Sequence, residues 1–584
     1  LPEVKVSDLI ADVLAAQGVT HVYELIGGMI VHIVDSIHQA GRIELVSMRH
    51  EQAAAFAADA AGRCLGVPGV AMGTSGPGAT NLLTGIGSCY LDSSPAVFIT
   101  GQVNRHEQKG DRAIRQLGFQ ETDIVTMAAP ITKAAVRVGS PEEVAGALAS
   151  AFALAVEGRP GPVLLDIPMD VQGSFVEAPE VAPPARREPA QPDPEALDDL
   201  LRDLAAAERP LILVGAGVRA AARTDQLGAL AESLGVPVVN SLLAVDALAH
   251  EHPLRVGLIG SYGNRWANMA IGRADFMLVL GSRLDIRQTG SEVDAFKGDR
   301  VVHHVDTDPA EINNRVLGCH EIVADLRDFL PAAIERASAH SVPDFTAWAQ
   351  EIADLRAEWP DTAELPDIEG INPNAFMHEL SAAASQATAY AIDVGQHQQW
   401  AAQSLELGPG QRFLTSGGMG AMGFGLPAAI GAVLTLGGPV VMVAGDGSFQ
   451  LNIQELQTVA QHRLPVKMIV LDNRCHGMVR QFQESYFEER YQSTLWGYSA
   501  PDFARVAAAY EIDSLAIDDP EEVEGGLEAL WRDPEEPFLL QVMIDPMANA
   551  YPKLAFGRPM TEMEPLAKPI AMKGATAPVA MEGT

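Results

Sequence analysis

Short apolar runs that stop at glycine or at a polar residue recur along the chain and alternate with stretches of helical spacing. His21–Ile26 stops at Gly27-Gly28, Val70–Thr74 runs into S-G-P-G-A-T-N (75–81), Ala96–Thr100 into Gly101-Gln102, and Pro162–Ile167 closes this series. Val6–Gln17 has helical spacing, and an Ala-rich helix opens at Arg49-His50-Glu51-Gln52 and runs through Arg63. A second series follows: Pro210–Val214 into Gly215-Ala216-Gly217-Val218, then Val236–Asn240, Phe276–Leu280 and Val301–Val305. A third runs from near Asn374 to about 545. Buried strands alternating with helices predict parallel sheets wrapped by helices, an α/β class with three doubly wound domains. The expected division is 1–175, 195–340 and 372–546, with a tail at 547–584. Residues 174–196, rich in Pro, Ala and Glu, read as a linker, and 341–372 as a second connection. The tail, with Pro552, Pro559, Pro565, Pro569 and Pro578, has little periodicity and reads as a lid, a wrapping arm or disorder.

Composition narrows the function classes. Apolar residues make up 47 % of the chain, enough for large cores, and no run reaches the ~18 apolar residues of a membrane span. The opening L-P-E-V-K-V-S-D lacks the basic and apolar regions of a signal peptide. Cys64, Cys89, Cys319 and Cys475 show no C-x-x-C spacing, which argues against a zinc or disulfide framework and suits a reducing cytoplasm. Forty basic against 76 acidic residues give a net charge of −36, which repels nucleic acid.

The densest chemistry lies in V-M-V-A-G-D-G-S-F-Q (441–450) and V-K-M-I-V-L-D-N (466–473). Two apolar strands end in a carboxylate, Asp446, and an amide, Asn473, with Asn452–His462 reading as one helix between them. Crevices at strand carboxyl ends are where open α/β sheets bind ligands. A carboxylate plus an amide oxygen suits Mg²⁺, which usually holds a phosphate as well. Gly445 and Gly447 permit close backbone approach, and Ser448 opens the helix. Glu51, by itself, reads equally as a first-turn helix acid favoured by the macrodipole.

G-D-G followed by a distant Asn resembles the diphosphate and metal motif of thiamine diphosphate enzymes. The chain as a whole resembles the acetolactate synthase (acetohydroxyacid synthase) catalytic subunits from about residue 5 to 565. The matching motifs are R-H-E-Q (49–52), T-S-G-P-G-A-T-N (74–81), I-T-G-Q-V (99–103), F-Q-E-T (119–122), G-R-P-G-P-V-L-L-D-I-P (158–168), V-G-Q-H-Q (394–398), T-S-G-G-M-G-A-M-G-F-G-L-P-A-A (415–429), G-D-G-S-F-Q-L-N-I-Q-E-L (445–456) and G-M-V-R-Q-F (477–482).

The resemblance implies pyrimidine, central and diphosphate domains, and a role for each matched residue. Glu51 would bond the aminopyrimidine ring, a task that needs a carboxyl partly shielded from water. Met422, next to Gly420, would prop the bent cofactor. Gly27, Gly28, Gly395, Gln396, His397, Gly477 and Met478 would complete the thiamine diphosphate site. Asp446, Asn473 and the backbone oxygen of Cys475 would hold Mg²⁺. Phe119 and Gln120 would sit beside the reacting carbons, and Arg283 would meet the acceptor carboxylate. The family's middle domain binds FAD that takes no net redox part. Gly215, Gly217, Arg283, Asp285, Arg287, Asp306 and Asp325 fit those contacts, with Arg283, Asp285 and Arg287 alternating on one face of an extended segment. A nicotinamide site is the competing reading, but no G-x-G-x-x-G with a later acid is present. The family's sites lie between chains, which implies a homodimer or homotetramer, and a small regulatory subunit is a candidate partner.

The implied activity decarboxylates pyruvate and transfers the hydroxyethyl carbanion to a 2-keto acid, as in branched-chain amino acid biosynthesis. Three positions depart from the family: Met169 replaces a lysine after D-I-P, Ser261-Tyr262-Gly263 stands where M-H-G is usual, and Phe482 replaces a tryptophan. These departures keep open a carboligase with a keto-sugar, aldehyde or acyl-CoA-type acceptor, and a thiamine diphosphate oxidase or decarboxylase.

Overall fold

The computed structural model describes residues 3–178, 187, 189–340 and 342–570. Three six-stranded parallel sheets dominate these described residues. The first takes His21–Leu25, Glu44–Ser47, Gly69–Gly73, Ala96–Gln102, Ala134–Arg137 and Pro162–Pro168. In space they run second, first, third, fourth, sixth, fifth. The third sheet takes Ala389–Ile392, Arg412–Thr415, Val440–Gly445, Val466–Asp472, Asp513–Ile517 and Phe538–Met543 and repeats that order. The middle sheet, from Pro210–Val214, Val238–Asn240, Arg255–Leu258, Phe276–Leu280, Val301–Asp306 and His320–Val323, runs third, second, first, fourth, fifth, sixth.

Every one of these ladders is parallel, from Val22↔Val70 in the first sheet to Val470↔Gln541 in the third. Helices on both faces explain why strands such as Phe276–Leu280 and Val440–Gly445 are buried throughout. Strand order reverses beside the first strand of each sheet. A crevice therefore opens past Leu25 and Gly73, past Val214 and Leu280, and past Ile392 and Gly445.

The first and third domains share one core. Helix Glu51–Leu65 lies on helix Gly425–Leu436, and the buried cluster runs from Tyr23 and Val46 through Ala53–Ala58 and Phe424 to Val440 and Met468. Phe56 meets Phe424 edge-on at 5.4 Å. The helices approach closely because Gly431 faces the backbone oxygen of Ala57, where no side-chain carbon fits. Residues 341–372 are more than a connection. Helix Thr346–Glu358 packs on the middle domain, with Trp348 Nε1 donating to Pro210 O (3.0 Å). The buried Arg265 pairs with Glu364 at 2.6 Å.

The linker reading at 174–196 falls largely on 179–186 and 188, outside the described residues; Pro194 already opens a helix. Of the three readings of the tail, residues 547–570 take the wrapping arm. Lys553–Leu554 pairs antiparallel with Met563–Glu564, Leu554 N donates to Ser261 O (2.8 Å), and Leu554, Met560 and Met563 join the middle-domain core. Residues 571–584, with Pro578, lie outside the described residues. Among the described residues no helix is long and apolar enough to cross a membrane.

The Gly431 contact sets a testable sign. Helix propensity alone favours Gly→Ala by about 1 kcal/mol, while a side chain forced into a packed interface costs about 1–3 kcal/mol. Gly431→Ala is expected to lower the thermal midpoint. Gly146→Ala, on an exposed helix face with open space around it, is expected to raise it. A stabilised Gly431→Ala protein refutes the tight crossing.

Candidate active site

The third domain supplies an oxygen-rich pocket. Strands Val440–Gly445 and Val466–Asp472 are in register up to Gly445↔Leu471, so Asp446 and the pair Asp472-Asn473 emerge side by side. The chain after Gly445 is not one helix from Asn452. It forms a turn of helix at Asp446–Phe449, a 3-10 segment at Gln450–Glu455 and a helix at Leu456–His462. The break falls at Asn452 (φ −129°, ψ 28°), whose amide reaches back to donate to Gly423 O at 2.7 Å.

Asp446 is buried, and its Oδ2 accepts from the Tyr498 hydroxyl at 2.9 Å. Burial, reinforced by the neighbouring Asp472, pushes its carboxyl up to about 7. Asp472 Oδ1 accepts from Arg474 N (3.0 Å) and its Oδ2 from Gln541 Nε2 (2.8 Å). Asn473 Oδ1 accepts from Cys475 N (3.2 Å), and its Nδ2 donates to Gln396 Oε1 (3.2 Å). Burial pushes the Cys475 thiol up to about 11, so it stays protonated near neutral pH. Two acids repelling each other in a desolvated pocket, beside an amide oxygen, suit a hard divalent cation.

The same crevice carries glycines where an anion could approach. The His397 ring is buried, which lowers its basicity to about 3, and its Nε2 has no partner among the described residues. Gly395 and Gly445 back onto that ring. A Cβ on either would fall 2.6 Å and 2.9 Å from it. Ser448 Oγ accepts from Gly445 N (3.1 Å). A Cβ on Gly447 would strike His476, and one on Gly477 would lie 2.7 Å from Asn473 Nδ2. A neutral imidazole with an unused nitrogen, among glycines that bring backbone close, fits a diphosphate.

Met422 is held from both sides. Gly420 (φ +62°) and Gly423 (φ +85°) take left-handed turns around it. Ala421 N donates to Ser416 Oγ (3.2 Å), while Gly423 N and Gly425 N donate to the two oxygens of buried Asp393 (2.9 and 2.8 Å). Burial pushes Asp393 up to about 6. The preceding Gly417 and Gly418 donate to Asp92 of the first domain, which also pairs with Arg63. Sequence reasoning missed Asp393, Asp92, Asp472 and Tyr498. An acid directly before Asn473 was a readable signal for Asp472; the others sit in segments with no pattern of their own.

The first domain supplies a second half-site. Glu51 opens its helix with His50 as N-cap, is 5 % exposed, and its Oε2 accepts from Asn81 Nδ2 at 2.9 Å. A Cβ on Gly78 would lie 3.3 Å from the other Glu51 oxygen, and one on Gly27 would lie 2.8 Å from Thr74 Oγ1. Gly28 faces open space. Gln120 (φ +65°) rests on Gly76, and Phe119 beside it is 80 % exposed. Within one chain the start of this helix meets the third domain through Arg49 N to Glu455 Oε1 (2.9 Å) and Asn452 Nδ2 to Gln52 Oε1 (3.4 Å).

Between the domains lies a cavity of about 930 Å³. Gly215, Gly217, Arg283, Asp285, Arg287, Asp306 and Asp325 all line it, with Arg63, Arg159, Gln398 and Gly417–Gly420 from the other domains. It sits at the order reversal of the middle sheet, where Gly217 and Gly281 approach so closely that a Cβ on Gly217 would lie 2.7 Å from Gly281 Cα. Arg283, Asp285 and Arg287 do not form one extended face. Asp285 caps the short helix Ile286–Thr289, Arg283 pairs with it at 2.7 Å, and Leu284 between them has φ +49°. Capping turns the chain, so the three reach one cavity by a bend rather than by strand alternation.

Two of the departing positions line one region. The Tyr262 hydroxyl donates to Met478 Sδ (3.1 Å), and the Arg287 guanidinium lies 5.9 Å from the Tyr262 ring. Phe482 is 42 % exposed and packs against Tyr486 (4.8 Å) and Phe487 (5.8 Å). Met169 opens a single helical turn after Pro168.

Comparison with known proteins agrees with this geometry. Residues 4–127 match the family described as thiamine pyrophosphate enzyme, N-terminal TPP binding domain. Residues 197–333 match its central domain and 393–542 its C-terminal TPP binding domain. The chain is 38 % identical to the acetolactate synthase large subunit of Parasynechococcus marenigrum (strain WH8102), over 94 % of this chain and 89 % of that one. It is 37 % identical to the acetolactate synthase isozyme 2 large subunit of Escherichia coli (strain K12), over 94 % and 97 %. It is 35 % identical to the probable acetolactate synthase large subunit of Methanocaldococcus jannaschii, over 96 % and 95 %.

Proposed function

The chain belongs to the acetolactate synthase large-subunit family of thiamine pyrophosphate enzymes, and from that premise we propose the reaction and the residues that carry it. It is a thiamine diphosphate-dependent enzyme that joins two 2-keto acids. Pyruvate loses CO₂, and its remaining two carbons bond to the carbonyl carbon of a second 2-keto acid. With pyruvate as acceptor the product is 2-acetolactate. The observation that carries the assignment is that one chain holds both halves: a buried, amide-anchored Glu51 in the first domain and the Asp446–Asn473 oxygen set in the third.

Thiamine diphosphate, when bound, supplies the carbanion centre and the electron sink for the decarboxylation. The chain's own side chains do the rest. Glu51, fixed by Asn81, holds and moves a proton at the aminopyrimidine ring. Asp446, Asn473 Oδ1 and Cys475 O hold Mg²⁺, and Gly395, Gln396, His397, Gly445, Gly447 and Ser448 receive the diphosphate. Gly420, Met422, Gly477 and Met478 shape the space for the rings. Met422 is held in place because Gly423 and Gly425 after it donate to Asp393, and Ala421 before it donates to Ser416. Phe119, Gln120 and Arg283 face the reacting carbons and the acceptor carboxylate.

The cavity of about 930 Å³ suits an extended dinucleotide, and we assign it to FAD. The Glu51 and Asp446 half-sites carry exposed apolar rims, Ile26 and Phe119 on one, Val479 and Phe482 on the other. Those rims support a homodimer or homotetramer in which each site takes one half from each chain. A smaller subunit is a fitting further partner, since relatives are named large subunits. Four free cysteines agree with a reducing cytoplasm.

Pyruvate alone should give CO₂ and 2-acetolactate, read by product analysis; CO₂ without acetolactate refutes the acceptor assignment. Glu51→Gln should cut turnover by about 10²–10⁴-fold while thiamine diphosphate still binds. An active Glu51→Gln protein removes the proton-transfer role.

Asp446 sets a pH dependence. Its folded carboxyl titrates near 7, above the ordinary value near 4, so the cation-free folded state keeps a proton that the unfolded chain releases. Stability of that form should fall as pH rises from about 4 to about 7. Mg²⁺ must displace this proton, so stabilisation by Mg²⁺ with thiamine diphosphate should be larger at pH 8 than at pH 6 in thermal melts. Asp446→Asn should flatten the difference; an unchanged pH dependence in that variant overturns the assignment.

Purified protein should show flavin absorption, and Gly217→Val, which fills the close approach to Gly281, should remove it. A colourless wild-type protein that takes up no added FAD speaks against the cavity assignment.

A further inference from the structure

We propose that Asp203, His303 and His320 form a zinc-type divalent cation site at the edge of the middle domain, separate from the half-sites and from the flavin cavity. His303 and His320 are direct partners in the parallel register of strands Val301–Asp306 and His320–Val323, so their side chains leave the same face of the sheet. Their rings stack at 4.6 Å with 15° between planes. Helix Pro194–Ala205 covers that face. Its Leu197, Leu201 and Leu204 share a core with Val305 and Ile322. This seats Asp203, on its last turn, over the histidine pair. His303 Nε2 and Asp203 Oδ2 are 2.9 Å apart, and one donor atom from each of the three residues lies within 4.8 Å of the others.

The ligand chemistry selects the ion. Two imidazoles and a carboxylate match Zn²⁺, Co²⁺ or Ni²⁺, whereas Mg²⁺ and Ca²⁺ take oxygen shells. His303 is 1 % exposed, lies 5.7 Å from the Phe276 ring, and its Nδ1 has no partner among the described residues. An apolar side chain would fill this layer without burying a polar ring, so packing alone gives no reason for an imidazole here. His320 is exposed, which leaves one side of the site open to water as a fourth ligand. Arg202, the nearest cation on the same helix, pairs with Asp199. A bound ion would staple the first helix after the linker to the edge strand of the sheet.

The test uses the full-length protein with Mg²⁺ and thiamine diphosphate present, so that the oxygen pocket is filled. Zn²⁺ titration by calorimetry is compared between wild type and His320→Gln, whose exposed position spares the core, and Asp203→Asn serves as a second variant. Wild type should bind one more Zn²⁺ per chain than either variant, or bind it at least about tenfold more tightly. Co²⁺ should give the intense visible bands of a four-coordinate site in wild type only. Equal stoichiometry and affinity in wild type and both variants, or Co²⁺ spectra that do not distinguish them, overturns the proposal.

Discussion

Where strand order reverses in a parallel sheet, the chain leaving one strand turns to one face and the chain leaving its neighbour turns to the other. Backbone cannot close the gap between their carboxyl ends. Each of the three sheets has such a reversal beside its first strand, and the two half-sites and the cavity each sit on one. Gly27 and the Thr74–Gly78 turn lie past the first, Gly215 and Gly281 past the second, and Gly395 and Gly445 past the third. The glycines follow from the constraint, because two turns meet there with no room for side chains.

A crevice becomes a site through the charge buried in it. Asp446 and Asp472 are held together by strands paired to the end, and desolvation drives Asp446 toward its neutral form. His397 is equally deprived of a partner on the opposite side. A pocket of this kind suits a cation and an anion together. The alanine–glycine crossing of Glu51–Leu65 on Gly425–Leu436 joins the first and third domains in one core.

Similarity to acetolactate synthase large subunits covers 94 % of the chain, and so all three sheets. Tyr262 and Phe482 have local partners, Met478 for one and Tyr486 and Phe487 for the other.

The strands, the glycine turns and the places of Asp446 and Asn473 at strand ends were legible in the chain because each depends on a local rule: apolar runs make buried strands, and polar residues follow at their ends; Glu51 was singled out only through the resemblance. Three features were not legible. The bend at Asp285 replaced an apparent alternation, the break at Asn452 replaced an apparent helix, and Thr346–Glu358 proved to be a packed helix. The first is decided by the side chain of Asp285 capping the next turn, and the last two by a contact with a distant segment, Asn452 with Gly423 and Trp348 with Pro210. The same holds for Asp393, Asp92 and Tyr498, which act on residues 30 to more than 300 positions away. Local periodicity reports which face of an element is apolar; only the packed chain determines which distant groups that face brings within hydrogen-bonding distance.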